Sequence, residues 1–130
     1  MLTTQQVFDK VATHLLKQGK RSMLETRNEA ICAYRGDQGV SCAVGCLIPD
    51  ERYDPIIEGA GVSNARVQEL LPEMEHVAHD LLSSLQCMHD HCENNNFDVP
   101  LRIVACRYNL SPAVVDRLWT DPSIFARVRR

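Results

Sequence analysis

The stretch Cys32-Ala-Tyr-Arg-Gly-Asp-Gln-Gly-Val-Ser-Cys-Ala-Val-Gly-Cys-Leu-Ile-Pro-Asp-Glu-Arg-Tyr53 decides how this chain folds. It places three cysteines, three glycines and two tyrosines in 22 residues, between segments of helical periodicity. Ile31 to Tyr34 and Val40 to Val44 have strand-like composition, and Gly36-Asp37-Gln38-Gly39 between them suits a hairpin turn. Two short strands are marginal alone, so the hairpin is expected to lie against helices. Pro49-Asp50-Glu51 reads as a helix start, with proline at the first position and acids in the first turn. Pro55 and Gly59 keep that element short.

Upstream, Thr3 and Gln6 form a capping-box pair, with Leu2 and Val7 placed for a hydrophobic staple. Val7, Phe8, Val11, Ala12, Leu15 and Leu16 make one apolar stripe at helical spacing. Gly19 is a natural stop, and Lys17, Lys20 and Arg21 suit the helix C-terminus. Downstream, Val67, Leu70, Leu71, Met74, Val77, Ala78, Leu81, Leu82, Leu85, Met88 and Cys92 predict an amphipathic helix from about Pro72 into the 80s or early 90s. A preceding turn is capped by Ser63 or Asn64, and Glu93-Asn-Asn-Asn96 closes the helix in a polar loop. Leu101 to Tyr108 is a further helix. Ser111-Pro112 caps and starts another, reaching about Trp119. The expected fold is therefore mainly α, as one domain over residues 1–130. It has about five helices and a small two-stranded β-hairpin after the first, and residues 120–130 form a basic tail.

With 130 residues, 45% of them hydrophobic and 24% charged, the chain can bury a sizeable core. No apolar run approaches the roughly 20 residues of a membrane span, so no membrane partner is expected. Met-Leu-Thr-Thr-Gln-Gln has neither the basic start nor the apolar stretch of a signal peptide. Six cysteines in that setting suggest reduced thiols in a cytoplasm. Residues 1–96 hold 8 Lys/Arg against 14 Asp/Glu, and residues 97–130 hold 6 Arg against 3 Asp. An acidic body argues against a general nucleic-acid binder, while the basic tail leaves room for a local contact.

One group of residues resembles a known family. It comprises Gln5/Gln6-x-Phe8-Asp9-x-Val11, Gln18-Gly19-x-Arg21, Tyr34-Arg35-Gly36-x-x-Gly39-x-x-Cys42-Ala43-Val44-Gly45-Cys46-Leu47-Ile48-Pro49-Asp50-Glu51-x-Tyr53, Glu58-Gly59 and Leu85-Gln86-x-x-His89-Asp90. It is similar to a family of small proteins encoded by phages, prophages and proteobacterial genomes. The match runs over roughly residues 5–90, and the Cys42–Tyr53 block is its specific part. That family carries no established activity, so the resemblance implies a phage-type setting and no catalytic residues.

Several constellations invite chemistry. Cys42, Cys46, Cys87 and His91 could form a zinc site, since Cys87 and His91 share a helix face. Cys42-x3-Cys46 nevertheless lacks the usual knuckle spacing, and reduced cysteines commonly pack as small hydrophobes. Cys42 or Cys46 beside Gly45 also offers a candidate nucleophile with a histidine from the long helix. His76-Val-Ala-His79-Asp80 and His89-Asp90-His91 read as a solvated helix face, because one helix cannot gather them at a single point.

Residues 101–119 read like a helix-turn-helix, with Ala105 at the helix contact and Asn109 at a left-handed turn position. Arg107, Ser111 and Arg117 would meet DNA, although Asp116 would face phosphate; the same pattern also describes a general helix corner. Asp50, Glu51, Arg52 and Asp54, displayed just after the hairpin, suit contact with a basic partner surface. Phe125 is a candidate aromatic anchor. Trp119 fits the core better. The expected role is a non-enzymatic, phage-type protein that binds a host protein and inhibits or redirects a defence or regulatory complex. The alternatives are a DNA-binding regulator and a small zinc-binding protein. No other cofactor is expected, and nothing in the pattern sets an oligomeric state.

Overall fold

A computed structural model describes residues 1–124; the expected contact at Phe125 and most of the basic tail lie outside the described residues. The chain is mainly α, with a small antiparallel hairpin after the first helix. Its elements are α1 (Thr4–Gln18), β1 (Met23–Glu25), β2 (Ala30–Cys32), α2 (Ala65–Leu70), α3 (His76–His91), α4 (Asp98–Arg107) and α5 (Ala113–Trp119). Four single 3-10 turns lie between β2 and α2. No helix among the described residues is long and apolar enough to cross a membrane.

Helix α1 is the central element, touched by α3, α4, α5 and the turn Gly45–Leu47. Its six stripe residues are all buried. The capping box forms as its sequence requires: Gln6 N–H donates to Thr3 Oγ1 at 3.1 Å, and Thr3 N–H to Gln6 Oε1 at 2.9 Å. Gly19 closes the helix at φ 72°, where a side chain would be strained. A distant residue adds to the first turn: Glu75 Oε2 accepts both the backbone N–H and the hydroxyl of Thr4 at 2.8 Å.

The hairpin lies earlier than the sequence suggested. It pairs Met23 with Cys32, Leu24 with Ile31 and Glu25 with Ala30. Thr26 closes its turn, with Thr26 Oγ1 donating to Glu29 O at 2.6 Å. The expected second strand, Val40 to Val44, makes one isolated bridge, Arg35 to Ser41, and then coils. The reason is burial. Cys42, Ala43 and Val44 are all fully buried, whereas a strand on a half-covered face would send every second residue to solvent. Coiling is secured by Cys46 N–H to Cys42 O at 3.0 Å and Leu47 N–H to Val44 O at 3.0 Å. It also requires Gly45, because a Cβ there would sit 2.0 Å from the Tyr34 carbonyl oxygen.

The long periodic segment is likewise divided. Asn64 caps α2, accepting Arg66 N–H at 2.9 Å. Leu71, preceding Pro72, takes the extended conformation that proline imposes on its predecessor. Met74 then bridges Leu2 in parallel, so α3 starts at His76 rather than near Pro72. Val77, counted in the apolar stripe, is exposed in the first turn of α3. The α4–α5 corner closes as read: Ala105 is buried, and Asn109 is left-handed at φ 55°. Trp119 is partly buried against the core.

Gly45→Ala is expected to cost about 3 kcal/mol or more, because neither Tyr34 backbone nor turn can withdraw. Gly61→Ala, with open space around its Cβ, is expected to change stability by less than about 0.5 kcal/mol. Urea unfolding midpoints at unchanged slope measure both, and equal midpoints would contradict the close-contact argument.

Candidate functional site

Three places hold the residues singled out above. The first is the run of 3-10 turns from Asp50–Arg52 to Pro55–Ile57, the counterpart of the short helix expected after Pro49. It is braced from beneath by Glu58. One carboxylate oxygen accepts Tyr34 N–H at 2.8 Å; the other accepts Arg35 N–H at 3.1 Å and the Tyr53 hydroxyl. Burial and the Glu58 hydrogen bond push the Tyr53 phenol well above its ordinary range. Burial lifts Tyr34 to about 12, and its hydroxyl donates to Ala60 O. Arg35 lies over the Tyr53 ring at 5.0 Å, donates to Ile48 O at 2.6 Å and pairs with Asp50 at 2.6 Å.

Asp50, Glu51 and Asp54 thus stand exposed on a rigid edge. Asp54 also caps its turn, accepting Ile56 N–H at 3.0 Å. Arg52, counted with them, donates its guanidinium to Glu69 O and ties the edge to α2. Exposed Ile56 completes the edge and carried no sequence signal.

The second place is the cysteine and histidine set. Cys42, Cys46, Cys87 and His91 do not converge. Among the described residues, the group of three or more potential ligands within 4.8 Å is Cys32, His89 and Asp90. Burial pushes the thiols of Cys42 and Cys46 up to about 12, which leaves them protonated and poor nucleophiles. Cys87 and His91 pair on the exposed face of α3, with Sγ and Nδ1 3.7 Å apart.

His89 is the correction to the expected solvated face: it is fully buried and stacked on Phe97 at 6.0 Å. Its Nε2 accepts the Ser22 N–H at 2.9 Å, so the ring proton sits on Nδ1 and is donated to Asp90 Oδ1 at 2.9 Å. That contact is a hydrogen bond from neutral imidazole. A metal on Nδ1 would force the proton to Nε2, against the Ser22 donor, so Cys32, His89 and Asp90 do not suit a metal ion. They form a brace instead. Gln86 extends it, accepting Val44 N–H at 3.0 Å and donating to Asp90 Oδ1 at 2.8 Å.

The third place is the α4–α5 corner. Arg107, Ser111 and Arg117 are exposed, yet they do not share one reading face. Arg107 lines a cavity with Ser83, Cys87 and Ile103; Ser111 and Arg117 line a groove against α1. Asp116 is paired with Arg102. The Gln5 side chain grips the Ser111 backbone, accepting its N–H at 2.9 Å and donating to its carbonyl at 3.0 Å. Val114, Val115 and Leu118 face the core. Helix α5 is thus held on α1 through the Ser111 backbone at its start and its apolar face.

The groove, of about 840 Å³, runs between α1, α5, Pro72 and the Cys46–Leu47 turn. Sequence reading named Ser111, Arg117 and Cys46 but not Lys10, Thr13 or His14, which look like ordinary polar-face residues of α1. No protein-family model, curated protein or solved structure matches this chain.

Thiol labelling with a chromogenic disulfide reagent should show two fast thiols, Cys87 and Cys106, the two exposed ones. The fully buried Cys42 should react only on unfolding, and the Cys87→Ser/Cys106→Ser double variant should lose the fast phase. Asp90 carries a pH prediction. Burial raises its carboxyl, but hydrogen bonds from His89 and Gln86 outweigh this and hold it below the ordinary value. A carboxylate lowered on folding stabilises above its unfolded pKa and loses that contribution as pH falls through the folded one. Asp90→Asn should therefore cost about 1 kcal/mol near neutrality, a modest figure for a half-solvated group. The deficit should shrink in acid; urea unfolding across pH checks it, and a pH-independent deficit would contradict it.

Proposed function

We propose that this chain is a non-enzymatic binding protein that docks a basic surface of a partner macromolecule through the Asp50–Ile56 edge. In the phage-type setting suggested by the resemblance, that partner is a host protein of a defence or regulatory complex. The observation that supports the reading is the preorganised edge. Glu58, Arg35 and Arg52 fix its turns from below, leaving Asp50, Glu51 and Asp54 facing water beside exposed Ile56. Rigid presentation lowers the ordering cost of association, and acidic side chains around an apolar one give both steering and a desolvated contact. Glu51 and Asp54 make no ion pair among the described residues. Buried thiols protonated near neutrality and a histidine committed to a structural brace favour binding over catalysis.

The test compares the tagged full chain with a Glu51→Lys/Asp54→Lys variant in capture from bacterial lysate. The expected outcome is one stoichiometric protein retained by the parent and reduced at least tenfold by charge reversal, with capture weakening as salt rises. Arg107→Ala should leave capture unchanged. Equal capture by the reversed variant, or no stoichiometric partner, would overturn the proposal.

A further inference from the structure

We propose that the groove between α1 and α5 is a binding site for a small amphiphilic carboxylate, an apolar chain or ring ending in one anionic head. Its residues are separate from the Asp50–Ile56 edge, so either proposal can fail without the other. The volume of about 840 Å³ lies within the range of roughly 300–1,000 Å³ that holds small organic ligands. Leu2, Leu47, Pro72 and Val114 supply an apolar lining, and the Cys46 thiol, protonated near neutrality, joins it rather than acting as a nucleophile.

Two cations line the same space: Lys10 from α1 and Arg117 from α5. Neither makes an ion pair among the described residues, in a chain whose net charge is −3. The acid beside them, Asp9, is engaged by Gln5 Nε2 at 2.9 Å, and the same Gln5 amide is committed to the Ser111 backbone. His14 adds no charge near neutrality: its Nε2–H donates to Ser41 O at 2.8 Å, and burial lowers its pKa. With Lys10 and Arg117 against the single carboxylate of Asp9, the groove keeps a net positive charge beside its apolar lining, which selects a ligand with an apolar body and an anionic head. Guanidinium and ammonium together match a carboxylate, the first by its planar donor fork and the second as a point charge.

Titration calorimetry on the full chain with decanoate, below its micelle threshold, tests the assignment, with decanol and decylamine as neutral and cationic counterparts. The expected result is saturable one-site binding of decanoate, at least tenfold tighter than decanol, with no binding of decylamine. Lys10→Gln/Arg117→Gln should weaken decanoate at least tenfold and leave decanol unchanged. Ala113→Trp, filling the groove from an exposed position, should abolish both. Arg107→Gln, on another cavity, should bind as the parent does. Circular dichroism confirms that each variant is folded. The proposal is overturned by absence of saturable decanoate binding, by equal affinity for decanol, or by folded groove variants that bind like the parent.

Discussion

A carboxylate placed beneath a chain crossing organises the middle of this protein. Glu58 receives two consecutive backbone N–H groups, Tyr34 and Arg35, together with the Tyr53 hydroxyl. Two adjacent amides that point the same way cannot both serve a strand ladder, so their satisfaction by a side chain fixes a bend. That bend brings the Tyr34 carbonyl against Gly45, where no side chain fits. The coil of residues 42–47 follows, and with it the surface that closes over α1. Carboxylate, bend and glycine are one arrangement, because removing any of them leaves buried polar groups unmatched or atoms overlapping.

A second hydrogen-bonded chain works on the far side of the same turn. Val44 meets Gln86, Gln86 meets Asp90, Asp90 meets His89, and His89 meets Ser22. It ties the turn and the hairpin entry to a single helix, α3. The chemistry of a His-Asp pair here is architectural: full burial of the ring and a backbone donor at Nε2 fix the tautomer, and the one ring lone pair, engaged by Ser22 N–H, is not free for a metal or an incoming proton. The same logic retires Cys42 and Cys46 as nucleophiles, since burial in apolar surroundings disfavours the thiolate. What remains available is surface: an acidic edge made rigid by the Glu58 brace, and a groove whose two cations outnumber its one acid and make no ion pair among the described residues.

Much of the helical layout was legible in the sequence because its signals are local. The Thr3/Gln6 capping box, the six-residue stripe of α1, the Gly19 stop, a cap at Ser63 or Asn64 and the left-handed Asn109 each depend on residues within a turn of one another. The class followed too: mainly α, with a short hairpin after the first helix. Local reading failed where satisfaction came from far along the chain. Glu75 serving Thr4, Leu2 bridging Met74 and Gln86 serving Val44 leave no trace in spacing.

The candidate sites divide along the same line. Asp50, Glu51 and Asp54 were visible because a proline followed by acids marks an exposed turn start wherever it occurs. The strand assignment for residues 40–44 went astray because a β-rich composition cannot say whether one face or both will be covered, and here three successive residues are buried. His89 was unreadable for a related reason: a histidine among acids on a helix is solvated or buried according to what packs against it, and Ser22 and Phe97 come from other segments. The sequence by itself determined the class, helix α1 with its caps, and the approximate places of the other helices. Tertiary structure decided which polar groups are buried, which thiols are silent and that Lys10 and Arg117 line one groove, because burial and the grouping of charges depend on segments that only folding makes neighbours.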